Sequence, residues 1–299
     1  MNRLLLIISL FLIFPRIDAQ EDLMNILNQD SAKGTIYTIA AFKSTRVLNG
    51  QSIKSMPPGQ LDFRISHRFG PVNYGLYEFF GLDQSITRFS LEYGIFNRLM
   101  VGVGRGTYLK TYDGFAKFTI LRQSTGTRVM PVSVLFFSSV AATSVKWSDP
   151  TQNNSFNSRL SYVNQVLIGR KFNESLSLQI EPTFVHRNLV SFSGDPNDLF
   201  SLGAGGRIKL AKRISFNAEY YYLLNSRKDM RQKIYDPLSL GFDIETGGHV
   251  FQLIFTNSLG IIEKDFIGET TGRWSKGDIH FGFNISRVFT LKKMKVLHP

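Results

Sequence analysis

Alternation with a period of two, repeated in segments of about ten residues, is the feature that most narrows what this chain can fold into. Its clearest instance is Ile279-His280-Phe281-Gly282-Phe283-Asn284-Ile285-Ser286, where odd positions are apolar and even ones small or polar. Successive side chains of a strand point to opposite faces, so such a run describes a strand with two unlike faces. The pattern recurs: Asp62 and Arg64 oppose Phe63 and Ile65, and Arg88, Ser90 and Glu92 oppose Phe89, Leu91 and Tyr93. Ser177, Gln179 and Glu181 oppose Leu176, Leu178 and Ile180; Ser215, Asn217 and Glu219 oppose Ile214, Phe216 and Ala218. The expected strands are 60–69, 86–95, 99–110, 115–124, 129–142, 158–171, 176–188, 199–210, 214–224, 238–245, 249–258 and 278–290. Alternation is blurred in 99–110, 129–142 and 158–171, whose faces stay unassigned. A strand near ten residues crosses a bilayer at a tilt of about 45°.

The connections carry a second, independent pattern. Short ones (96–98, 124–128, 172–175, 211–213 and 246–248) interleave with long ones (70–85, 143–157, 189–198, 225–237 and 259–277). Short turns on one side and long loops on the other describe a transmembrane β-barrel, with the long loops extracellular. The fold expected is all-β: a closed antiparallel barrel of about twelve strands over 60–299, with both ends periplasmic. Residues 20–59 are expected to lie in the periplasm or to fold into the barrel mouth as a plug. Within them, 21–33 reads as a short polar helix; two further strands at 35–42 and 44–53 would give fourteen. Antiparallel sheets with one solvated face also alternate, so a soluble barrel is the rival, disfavoured by the strand length and the sorted loops.

Residues 1–19 read as a secretory signal peptide: Arg3, an apolar run from Leu4 to Phe14, and a small residue at Ala19. Without them the chain keeps 33 basic and 22 acidic side chains, a net charge of +11. No cysteine is present, which excludes a disulfide framework, a thiolate metal site and a lipidated cysteine. After the leader, no apolar run reaches the roughly 20 residues that a membrane helix needs.

The segments Phe42 to Ser52, Gly59 to Gly70, Phe79 to Asp83, Glu92 to Ile95 and Val101 to Arg105 resemble an uncharacterised β-barrel family of Bacteroidetes, a domain of unknown function. The resemblance is densest between residues 40 and 125. It implies the outer membrane of a Gram-negative bacterium, and it brings no catalytic residue with it.

The candidate site is the inward face of the early strands. Asp62, Arg64 and Arg68 are expected beside Arg88 and Glu92, with Lys117, Glu181, Arg207, Lys209 and Glu219 also on the polar side. Rings of charged side chains select solutes in pores; equally, they pair with one another and fill a narrow barrel. The loop 70–85 holds Tyr74, Tyr77, Phe79 and Phe80. It is expected to collapse on its own aromatics, the alternatives being an inward constriction or a binding surface. No enzyme is expected: Ser66 and His67 face opposite ways on one strand, and His280 and Ser286 are six strand residues apart. No HExxH spacing or other metal site occurs, and no cofactor is expected. Gly102-x-Gly104-x-Gly106 lies inside a strand, where glycines ease close approach and are not a nucleotide loop. The basic balance suits anionic lipid headgroups and calls for no nucleic acid. The partners expected are outer-membrane lipid and small solutes or periplasmic proteins. The sequence thus points to a narrow porin or small-solute channel with a charged lumen. The alternative is a non-conducting barrel that docks periplasmic proteins.

Overall fold

The computed structural model describes residues 34–147, 151, 155–225 and 230–292. The leader, the polar helix expected at 21–33 and residues 293–299 lie outside the described residues. Twelve antiparallel strands close into a barrel: β2 (Gln60–Pro71), β3 (Ser85–Phe96), β4 (Leu99–Gly106), β5 (Tyr112–Leu121), β7 (Ser133–Ala142), β8 (Leu160–Lys171), β9 (Leu176–Arg187), β10 (Asp198–Ala211), β11 (Ile214–Leu223), β12 (Leu238–Thr246), β13 (His249–Thr256) and β14 (His280–Thr290). Each pairs with its neighbours in the chain, and β14 closes on β2 through pairs such as Ile285 with Ile65 and Ser286 with Arg64. Closure leaves no edge, so every wall strand has a partner on both sides. Two short strands, β1 (Thr35–Tyr37) and β6 (Ser124–Gly126), pair outside the barrel at the short-turn mouth. The count is therefore twelve. The fourteen-strand alternative fails because residues 44–53 form no strand and β1 never joins the wall.

Outward positions carry the apolar half of the alternation. Phe89, Leu91, Val103, Phe136, Ile180 and Leu202 are 39–60 % exposed, an apolar belt that in a membrane is covered by lipid. Leu91 lies mid-strand on this face. Leu91→Arg is expected to cost about 2–4 kcal/mol, the penalty for a cation at the midplane of a barrel wall. Urea titration of the protein folded into phospholipid vesicles measures it; an unchanged midpoint would mean that lipid does not cover this face.

The inside is filled. The loop from β13 to β14 turns inward, and its helix α1 (Glu263–Gly268) is buried along its whole length. Phe266 and Ile267 pack with Val163, Val185, Leu199 and Tyr221 of the wall. The blurred strands now have a physical account. The inward positions Leu135, Phe137, Ala141, Val163 and Leu167 are apolar because they face packed protein. In β4 the inward face includes Gly102 and Gly104, where an added Cβ would meet the Phe115 ring at 2.4 Å and the Arg88 guanidinium at 2.3 Å. The aromatic loop between β2 and β3 departs from expectation. Tyr77 is 93 % exposed, and Tyr74, Phe79 and Phe80 are also exposed, so it neither collapses nor enters the lumen. Phe79 and Phe80 both adopt left-handed φ, of 45° and 55°, a conformation that bulky residues rarely take.

Candidate functional site: the occupied lumen

All six candidate residues point inward and are at most 2 % exposed: Asp62, Arg64, Arg68, Arg88, Glu92 and Lys117. They do not form one ring. In register, Asp62 faces Glu92 across β2 and β3, and like charges directly opposite repel. Arg64 relieves this, with Nη2 2.8 Å from Asp62 Oδ2 and 3.9 Å from Glu92 Oε2. Arg88 turns instead to Asp113 of β5, donating through Nε and Nη2 at 2.9 and 2.5 Å in a bidentate pair. Arg68 donates to Asn284 Oδ1 at 3.1 Å and to Asn49 Oδ1 at 2.6 Å.

Among the described residues Lys117 pairs with no carboxylate; its ammonium donates to the backbone carbonyls of Thr45, Ser52 and Lys54 at 3.2, 3.1 and 3.0 Å. Those carbonyls belong to a segment that lies across the barrel interior. Residues 44–52 are all buried between one another and the wall, although Ser44, Thr45, Arg46, Asn49, Gln51 and Ser52 are polar. The segment folds back on itself, with Val47 N donating to Gly50 O and Ser52 N to Thr45 O, both at 2.9 Å. Its turn is held from the far wall. Glu219 accepts from the backbone N–H groups of Leu48, Asn49 and Gly50 at 3.2, 2.7 and 3.0 Å, a nest of amides closed around a carboxylate. Gly50 does not have a left-handed φ. Its role is close approach, since a Cβ there would stand 1.8 Å from Tyr221 Oη.

The two walls differ in their balance of charge. β2, β3 and β5 carry Arg64, Arg68, Arg88 and Lys117 against Asp62, Glu92 and Asp113, whereas β9 to β12 carry Glu181, Glu219 and Asp243 against Arg187 and Arg207. In a ring of twelve these groups of strands stand across the lumen from each other. Glu181 accepts from Tyr221 Oη, Gln179 Nε2 and, at 3.0 Å, Gln165 Nε2.

The N-terminal segment and α1 meet in the interior, where Arg46 Nη1 lies 2.9 Å from Glu263 Oε1 and Gln51 Nε2 donates to the same oxygen at 3.1 Å. Beside this contact, burial opposes the Lys264 charge, but the carboxylates of Asp265 and Glu269 outweigh it and raise the ammonium above its ordinary value. At the short-turn mouth a cavity of about 670 Å³ remains, bordered by Thr38 to Lys43, Ile53 to Pro58 and the turn residues Asn97 and Thr246. Among the described residues no group of three His, Asp or Glu could hold a metal.

The family comparison agrees with this architecture. Residues 42–289 match the family described as "Membrane bound beta barrel domain (DUF5777)". The chain belongs to that family. A membrane-bound closed barrel of antiparallel strands is the outer-membrane solution to burying a backbone in lipid, and this is an outer-membrane protein. The matched span begins at Phe42, so it includes the lumen segment as well as the wall. No curated protein matches the chain. Among solved structures it is similar to the KdgM porin (9 % identity, 77 % of this chain and 99 % of that one, TM-score 0.46). It is also similar to the COG4313 outer membrane channel from Pseudomonas putida F1 (10 %, 79 % and 98 %, 0.49). A third is Omp33 of Acinetobacter baumannii (8 %, 77 % and 98 %, 0.41). The fold assignment stands on the closed sheet and the family, not on these distant likenesses.

Sequence reasoning missed Asp113, Glu263 and the segment's own Thr45, Arg46 and Asn49. A usable sign was present: Lys117 and Glu219 lack an opposite charge at their cross-strand positions, where Phe137, Met100, Ser239 and Gly205 stand.

Proposed function

We propose that this porin-like barrel is a gated channel for small solutes, shut at rest by residues 42–56 and opened when that segment withdraws toward the periplasm. One observation carries the reading: from Thr45 to Lys54 the wall holds the segment's backbone by hydrogen bonds from polar side chains. Such bonds exchange for water at a net cost of about 0.5–1.5 kcal/mol each, or about 1.5–3 kcal/mol where Lys117 or Glu219 is the partner. The apolar surface given up on leaving is that of Phe42, Val47, Leu48, Ile53 and Met56. The segment's way out is short, because Pro58 and Gly59 meet Gly94 at the rim and lead directly into β2. The lumen charges Asp62, Arg64, Arg68, Arg88, Glu92 and Lys117 then line the opened path and select among solutes.

The test is single-channel conductance in planar bilayers, with heat-modifiable gel mobility as the check on folding. Wild type is expected to be mostly silent, with rare discrete openings. Arg46→Ala/Asn49→Ala alters only the segment and removes its contacts to Glu263, Arg68 and Ser239. It is expected to raise open probability at least tenfold. A folded double variant as silent as wild type would overturn the gate.

The closed interior itself favours a second reading, a non-conducting barrel that docks periplasmic proteins. The β1–β6 ribbon exposes Ile36 and Tyr37 at the mouth where such a partner would bind. That silent outcome is the one this reading requires.

A further inference from the structure

We infer that the solute class of this channel is the short peptide, and that the N-terminal segment occupies the lumen as a tethered peptide. The inference rests on the gated-channel reading and goes beyond it. Every residue from Thr45 to Lys54 meets a wall side chain through a main-chain atom. Lys117 takes the carbonyls of Thr45, Ser52 and Lys54, and Gln252 those of Arg46 and Val47. Asn284 donates to Leu48 O, Glu219 accepts from Leu48, Asn49 and Gly50, and Gln179 binds Gln51 O and Ile53 N.

The chemistry of these contacts matters more than their number. Three carbonyl oxygens meet one ammonium, Lys117, three consecutive amides meet one carboxylate, Glu219, and side-chain amides, which offer a donor and an acceptor together, take the rest. A peptide carries both groups at every residue, and a free one also carries an ammonium and a carboxylate. A sugar offers hydroxyls without that polarity. Spare capacity remains on the basic wall: Arg64 Nε and Nη1 and Arg68 Nε have no hydrogen-bond partner among the described residues. The wall also makes room for side chains of a passing backbone. A Cβ at Gly241 would meet Leu48 Cδ2 at 2.7 Å, and one at Gly169 would meet Ile53 at 2.9 Å.

The experiment uses the full-length Arg46→Ala/Asn49→Ala protein, whose wall is unaltered. Tetra-alanine with free ends and the neutral sugar raffinose are added to the bilayer chamber, and block of the ion current is titrated. Tetra-alanine is expected to block at a concentration at least tenfold lower than raffinose. Lys117→Met or Glu219→Gln in the same background is expected to weaken peptide block about tenfold and raffinose block by less than a factor of two. Equal block by both solutes, or peptide block indifferent to both wall variants, overturns the inference and leaves the channel standing. Calorimetric titration of tetra-alanine into the same protein in detergent covers the silent case. Binding without current retains a peptide site and removes the channel, whereas neither binding nor current removes both.

Discussion

Oxidation of a Val47→Cys/Gly205→Cys pair is expected to abolish the current of the Arg46→Ala/Asn49→Ala protein, and dithiothreitol to restore it. The geometry is close to that of a disulfide already. A Cβ placed on Gly205 would stand 3.2 Å from Cγ2 of Val47, so that methyl marks where a cysteine sulfur would sit, within reach of a bond whose β-carbons lie about 3.5–4.5 Å apart. Val47 is fully buried at the turn of the segment, and Gly205 is on β10, part of the wall that the turn touches. The native chain has no cysteine, so only one disulfide can form. A covalent tie at the turn holds the part of the segment that must move furthest. The effect is therefore all-or-none, unlike the graded effect of deleting one hydrogen bond of about 1 kcal/mol. Gel mobility with and without reductant verifies the bond. Current that persists through a verified disulfide would mean that ions travel by a path the segment does not fill.

The wall was legible in the sequence because lipid imposes a strict rule on it. Phe89 and Leu91 face hydrocarbon while Arg88, Ser90 and Glu92 do not, and no other arrangement of β3 satisfies both. All twelve strands were found at their places for that reason, and the sorted loop lengths fixed which ends are joined tightly. The contents of the barrel obey no such rule. Residues 44–52 are as polar as a solvated loop, and their burial depends on partners such as Lys117 and Glu219 that lie far away in sequence. Composition alone reads polar residues as exposed. Helix α1 is six residues long, too short for a 3.6-residue period to declare itself, and its first three residues, Glu263, Lys264 and Asp265, are charged. The blurred inward faces of β7 and β8 were the sequence's trace of both inserts. Apolar side chains at Leu135, Phe137 and Val163 have no reason to line water, and every reason to pack against Phe266 or the aliphatic part of the segment.

Reversing one charge is expected to show whether the two inserts act together. Arg46 stands between Glu263 at 2.9 Å and Glu92 at 3.9 Å, and all three are nearly inaccessible to solvent. Arg46→Glu gathers three carboxylates in that space. Breaking a buried pair by removing one partner costs about 3–5 kcal/mol, and the cheapest escape is for the segment to leave the lumen. Maleimide labelling of a Gln51→Cys reporter measures that escape, since Gln51 is completely buried while the segment is seated. Labelling is expected to speed up at least ~100-fold, as about 3 kcal/mol implies at 1.4 kcal/mol per factor of ten. Adding Glu263→Arg restores an opposite charge on α1 and is expected to recover most, not all, of the protection, because Glu92 still faces the new carboxylate. A coupling energy of about 0.5–3 kcal/mol between the two positions is the size expected for residues in contact. Such coupling is reciprocal by necessity: whatever displaces α1, which enters from the long-loop end, then loosens the segment at the short-turn mouth. Absence of rescue would separate the two inserts into independent closures, and opening would have to be driven from the short-turn end alone.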